Sequence, residues 1–204
     1  AAGGGSRPRL AEPHRRGPAA SPGAKEADTP AGLEIPGQGL EAVVDNAGLV
    51  LLWPHIKSIF RALNLLRGPA GGPKRPRVSA VLLLEQLAFG RPSGREDRLA
   101  LNKVLCGIAL HEPVPRRRRR SKKWDAEAES LLRAVISQWS ALKQTSPEGF
   151  QNAFLQREGI LRRQDHGWKL RVERKAYDIL LERLPWGIHM IQLSWMPAPL
   201  VVEW

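Results

Sequence analysis

Residues 146–173 read SPEGFQNAFLQREGILRRQDHGWKLRVE, and the hydrophobic period changes within them. Ser146 is a natural N-cap, and Pro147 suits the first helical position, where its missing N–H costs no hydrogen bond. Phe150, Phe154 and Leu155 then share one helical face, and Gly159 predicts the stop. From Ile160 the pattern alternates: Ile160–Arg163 and Trp168–Glu173 flank the turn Gln164-Asp165-His166-Gly167, which reads as a hairpin. Helices before this point and strands after it predict the α+β class.

Working back toward the N-terminus, Trp124–Lys143 is the clearest helix. Asp125, Glu127 and Glu129 suit the positive end of its macrodipole, and Leu131, Leu132, Val135, Ile136, Trp139 and Leu142 form one apolar stripe. Helical spacing also covers Arg77–Phe89, closed by Gly90, and Asp97–Cys106, ending at Gly107. Residues 45–60, DNAGLVLLWPHIKSIF, combine two pieces. Asp45-Asn46-Ala47-Gly48 is a turn or cap signal, and Asp45–Trp53 is a strand or an irregular apolar lead-in. Pro54 starts a helix that sets Ile56, Ile59, Phe60, Leu63 and Leu66 at helical intervals. Leu40–Val44 is a candidate short strand.

Beyond the hairpin, Tyr177–Leu184 reads as one helical turn or two, ended by Leu184-Pro185. Ile188–Trp195 and Leu200–Trp204 read as further strands. The prediction is therefore a mainly helical chain of about five helices with a small C-terminal antiparallel sheet. Gly68–Pro76 is a loop by composition, and residues 111–123, HEPVPRRRRRSKK, form a basic connector. Residues 1–32, dense in Gly, Pro, Ser and Ala, predict a disordered tail, and residues 33–204 a single domain.

Composition narrows the function. No apolar run among the 204 residues approaches the roughly 18–20 needed to span a bilayer, so membrane insertion is not expected. The first residues carry no apolar block of signal-peptide type. Cys106 is the only cysteine, so no internal disulfide forms, and in its apolar run it reads as a buried structural thiol. His14, His55, His111, His166 and His189 are scattered without metal-ligand spacing. No G-x-S-x-G elbow and no phosphate loop appears, and no catalytic constellation, so neither an enzyme nor a cofactor is expected.

The formal net charge is +12, of which Arg116, Arg117, Arg118, Arg119 and Arg120 with Lys122 and Lys123 supply +7. These seven are the candidate anion contacts. The run sits in a Pro-flanked loop with no interleaved aromatics, so a solvated or acid-facing linker is the plainer reading and a nucleic-acid-binding module the alternative. Most of the seven tryptophans read as core or interface packing. Leu-Pro-Trp-Gly at 184–187, Ser-Trp-Met-Pro at 194–197 and Val-Val-Glu-Trp at 201–204 read as rigid aromatic corners suited to anchoring an interface.

Six phrases in order carry a resemblance: VVDNAGLVLLWPHIKSIF, VLLLEQLAFG, LALNKVLCGIALHEPV, LLRAVISQWSALKQTSPEGFQNAFLQREGIL, GWKLRVERKAYDILLERLPWGI and LSWMPAPLVVEW. Together they resemble the C-terminal region of the tape measure proteins of contractile injection systems, the phage-tail-like particles of bacteria, over residues 41–204. The resemblance implies a structural assembly role, limiting the length of inner tube and sheath and docking at the hub or baseplate. It implies partners among the inner tube, hub or spike and baseplate proteins, and a possible homo-oligomer. The implied location is the bacterial cytoplasm during assembly and then the particle, with release from the cell as a further expectation. It carries over no catalytic residue. As docking or fold-defining positions it points to Asn46, Ala47, Gly48, Trp53 and Pro54; to Asn102, Lys103 and Cys106; to Thr145, Ser146 and Gly149; to Gln156, Arg157, Glu158 and Gly159; and to Leu184, Pro185, Trp186, Trp195 and Met196.

The family pattern lacks the five-arginine run, which reads as a local elaboration. Even as one continuous helix, at about 1.5 Å per residue, the chain would reach only about 300 Å. It also opens on Ala1 rather than Met. The short reach predicts a terminal domain of a longer ruler or a truncated member, and the missing Met a processed chain or a fragment of something longer. An effector carried in the tube is a weaker expectation, with no catalytic residues behind it.

Overall fold

The computed structural model describes residue 1 and residues 40–68, 75–115 and 121–204. The tail expected over residues 1–32 apart from its first residue, most of the loop at 68–76 and the run Arg116–Arg120 lie outside the described residues.

The class is α+β. Five α-helices are described: α1 (Trp53–Ala62), α2 (Ser79–Phe89), α3 (Ala100–Cys106), α4 (Lys122–Gln138) and α5 (Pro147–Phe150). Helix α2 lies at their centre. Every residue from Ala80 to Ala88 is buried, which is why its apolar residues run round the whole cylinder rather than along one stripe. Its two buried polar side chains are partnered. Glu85 accepts from the Ser93 hydroxyl and from Gly94 N (2.9 Å), and Gln86 Nε2 donates to Asp125 Oδ1 (2.7 Å).

The main sheet combines β1 (Glu41–Val44), β4 (Gly159–Gln164), β5 (Gly167–Val172), β6 (Met190–Ile191) and β7 (Leu200–Glu203), in the order β1-β4-β5-β7-β6. A separate two-residue pair joins β2 (Leu66–Arg67) to β3 (Arg75–Pro76). The sheet is mixed, and it is not wholly C-terminal. Its edge strand β1 comes from the start of the described chain, and β7 runs parallel to β5. Val44, Leu161, Leu170, Val172, Ile191, Leu200 and Val202 point into the core, while Glu41, Val43, Arg162, Arg171, Met190, Val201 and Glu203 are exposed.

Several local expectations are corrected. Asp45–Trp53 is neither strand nor irregular: Ala47–Leu52 is a 3-10 helix, all six residues buried, feeding directly into α1. An all-apolar run buried on every side has no period to read. The helix expected to reach Lys143 ends at Gln138, because Trp139 leaves helical geometry (φ −93°, ψ 87°), and a 3-10 turn, Ser140–Leu142, follows. Lys122 and Lys123 belong to the first turn of α4 rather than to a connector. Gly159 does not stop a helix. After α5 the chain makes a π-turn, Gln151–Leu155, and Gly159 opens β4. Tyr177–Leu184 is largely a 3-10 helix, Ala176–Arg183, and only Met190–Ile191 of the strand expected at 188–195 pairs with a neighbour. The Ser146 cap over Pro147 and the β4–β5 hairpin are as expected.

Candidate functional site

The C-terminal segment is fastened to the helices by tryptophan N–H groups. Trp53, the first residue of α1, donates from Nε1 to the Gly187 carbonyl (2.8 Å), and Trp186 donates back to the Leu51 carbonyl (3.0 Å). This reciprocal clasp joins the junction before α1 to the turn at 185–187. Pro54 occupies the opening turn of α1. His55 meets the Trp186 ring edge-on, 5.1 Å between centroids, and burial pushes its pKa below the ordinary histidine value. Leu184 is half-buried and Pro185 exposed.

Further along, Trp195 donates to the Leu105 carbonyl (2.9 Å), and its ring stacks on Phe60 at 5.7 Å. Buried Met196 accepts from Leu193 N through Sδ (3.4 Å). Gly107 makes this approach possible. It takes the left-handed conformation after α3 (φ +64°), and a Cβ there would lie 2.5 Å from the Trp195 carbonyl oxygen.

The second feature is Arg157, whose side chain is only 1% exposed. It forms a two-pronged ion pair with Asp178, Nη1 to Oδ1 at 2.7 Å and Nη2 to Oδ2 at 2.8 Å, and donates to the carbonyls of Glu173 (2.5 Å) and Ala153 (3.3 Å). Its guanidinium lies 5.4 Å from the Tyr177 ring centroid and 5.3 Å from that of Trp204. Trp204 Nε1 and Lys175 N both donate to Asp178 Oδ2. Burial raises the Asp178 pKa, but the hydrogen bonds from Arg157, Lys175 and Trp204, with the Arg157 charge, outweigh it and hold the carboxyl below its usual range. Beside Arg157, Gln156 donates to the Ala88 carbonyl (3.0 Å), exposed Glu158 accepts from Glu173 N (2.9 Å), and Gly159 is buried between Val44 and Val172.

The remaining positions serve the interior. Asn46 Nδ2 donates to Asn102 Oδ1 (2.7 Å), and Asn102 donates on to the Val81 carbonyl (3.1 Å), both side chains fully buried. Ala47 N donates to the Arg157 carbonyl (2.9 Å). Gly48 passes so close to the π-turn that a Cβ would fall 1.7 Å from the Phe154 carbonyl oxygen. Lys103 Nζ reaches Glu96 (2.6 Å) and the Leu110 carbonyl (2.8 Å). Thr145 Oγ1 donates to the Leu142 carbonyl (2.6 Å), and Ser146 Oγ accepts from Gly149 N (3.0 Å). Cys106 is buried, and burial raises its thiol pKa, which disfavours the thiolate. Lys122 and Lys123 are exposed.

Sequence reasoning named Arg157 but missed Asp178, Tyr177 and Glu96, the partners that neutralise or cover the two buried cations. Only Asp178 left a signal. It lies three residues after Lys175 at the start of the 3-10 helix, where an acid caps the backbone N–H. These groups position and bind; none presents a nucleophile beside a base. Among the described residues, no group of three or more His, Cys, Asp or Glu could hold a metal, and no helix is long and apolar enough to cross a membrane.

Residues 11–204 match the family model described as contractile injection system tape measure protein. The chain belongs to that family. The match begins 30 residues before the resemblance at 41–204 and takes in the whole of the described sheet and helices. No curated protein and no solved structure matches the chain. As a tape measure family member it is a component of a tail-like particle and works among that particle's other proteins.

Proposed function

We propose that this chain anchors a tape measure in the assembling tail, docking at the hub or baseplate end while the length of inner tube and sheath is set. The family match over residues 11–204 carries this reading. The fold supports it: a body whose last segment is clasped to its helices by Trp53, Trp186 and Trp195 supplies a shaped surface rather than contour length. On this reading the protein acts by binding rather than by catalysis. It assembles in the bacterial cytoplasm and leaves the cell only within the particle.

Deleting the gene and measuring particles by electron microscopy tests the proposal. Particles should be absent or of scattered length. A population of normal, uniform length would overturn it.

A further inference from the structure

The turn at 185–187 is held to the start of α1 by two hydrogen bonds, Trp53 Nε1 to the Gly187 carbonyl (2.8 Å) and Trp186 Nε1 to the Leu51 carbonyl (3.0 Å). Among the described residues, Pro185, Trp186, Gly187 and Ile188 make no other hydrogen bond. His55 stands inside this clasp, two residues after Trp53, with its ring edge-on to Trp186. Its Nε2 is enclosed and hydrogen-bonded to nothing. A neutral imidazole tolerates that, because it carries one N–H and can place it on Nδ1. An imidazolium carries an N–H on both nitrogens, and the one on Nε2 would be a buried charged donor without an acceptor.

No counter-charge waits for that proton. On α1 itself Lys57 and Arg61 are exposed, and the 3-10 segment Ala47–Leu52 carries no charged residue. Helix α4, the other element packed on α1, carries Lys122, Lys123, Asp125, Glu127, Glu129 and Arg133. Around the turn, Asp178 is bound to Arg157, while Glu182, Arg183 and His189 are exposed. None of these groups shifts His55: burial alone lowers its pKa.

We infer that His55 makes the clasp an acid-sensitive latch: when the ring takes up a proton it moves out to water, and the turn at 185–187 comes off α1 with Trp186, uncovering Trp53. The rest of the body stays closed, because Trp139 and Trp195 are fastened elsewhere, to the Leu180 and Leu105 carbonyls. Since the folded pKa lies below the unfolded one, the contribution of the neutral ring is complete above about 6.5 and is lost as pH falls through the lower folded value. The latch is a property of the fold and does not depend on this chain being a docking domain.

Heteronuclear NMR of the isolated protein, titrated from about pH 7.5 down to about pH 5 across the histidine range, tests the latch. The indole N–H groups of Trp53 and Trp186 should together lose at least about tenfold of their protection from exchange, at the pH where the His55 ring titrates. Those of Trp139 and Trp195 should keep theirs. His55→Phe, whose ring takes no proton, should hold the clasp closed over the same range. Clasp indoles that stay protected while His55 titrates would overturn the inference, and so would loss of protection at all four indoles at once, which is general unfolding. A His55 pKa above the ordinary value would overturn it too, being the mark of an imidazolium held by the Trp186 ring. Opening of the His55→Phe clasp at the same pH would assign the transition to another group. The wild-type titration decides the matter even if His55→Phe does not fold.

Discussion

Replacing Arg157 with Met keeps most of the side-chain volume and removes every polar contact of the buried guanidinium. The Asp178 carboxylate, 12% exposed, then remains without its cation, and the carbonyls of Glu173 and Ala153 lose a donor. Removing one partner of a buried pair costs about 3–5 kcal/mol. Lys175 N and Trp204 Nε1 still donate to Asp178, which places the expected loss near the lower figure. For a domain of this size, that lowers the melting temperature by roughly 6–12 °C. The pH dependence is diagnostic. In the wild type the Asp178 pKa is lowered, so its contribution is complete above the unfolded value of about 3.9 and fades as pH falls through the folded value. In the variant, burial without the cation raises that pKa, and protonation relieves the cost. Urea denaturation of both proteins should therefore show a gap of about 3 kcal/mol at about pH 7 that narrows toward about pH 4.5. A gap below about 1 kcal/mol, or one unchanged between the two pH values, would refute the reasoning.

The other predictions concern sites where packing dictates the outcome. Gly48→Ala puts a Cβ 1.7 Å from a backbone oxygen and should cost at least the roughly 1–3 kcal/mol of a forced overpacking, whereas Gly149→Ala, 3.2 Å from the movable Ser146 hydroxyl, should stay within about 1 kcal/mol of wild type; thermal denaturation separates the two. Cys106, buried and with its thiol pKa raised, should resist alkylation by iodoacetamide in the native protein and react at the rate of a free thiol once unfolded; mass spectrometry that found fast native labelling would contradict its placement behind Leu105 and Gly107.

Much of this architecture was legible because local chemistry and tertiary structure agreed. Ser146-Pro147, the Asp165-His166 turn and the glycines ending α2 and α3 each specify a backbone conformation within a few residues. What escaped was set by distant partners. Trp139 belongs to an apolar stripe by spacing, but its indole donates to the Leu180 carbonyl, 41 residues away, and the helix ends before it. The apolar run at 47–52 carries no period because it is buried on all sides, so it reads equally as strand or coil. The parallel pairing of β7 with β5 depends on the course of residues 173–199, about which alternation within Leu200–Glu203 says nothing. At the site, tryptophan and arginine can be seen in sequence, but their carbonyl acceptors cannot, since every residue carries one.

Those carbonyl acceptors explain how the end of the chain is held. Residues 184–204 contribute only Met190–Ile191 and Leu200–Glu203 to the sheet, too short a ladder to fix the intervening turns. Apolar contact alone would leave those turns free to slide, whereas an indole N–H bonded to one carbonyl has a direction as well as a distance. Trp186 and Trp195 provide two such points, on the 3-10 segment before α1 and on α3, and Trp204 adds a third bond of the same kind to the Asp178 carboxylate. Arg157 in turn fixes the other side of the sheet: its carbonyl holds Ala47 N just behind β1, while its guanidinium holds the residues after β5. The position of β1 is therefore set by the same buried node that receives Trp204. Loosening that node should disturb the β1 edge without altering any surface residue on it.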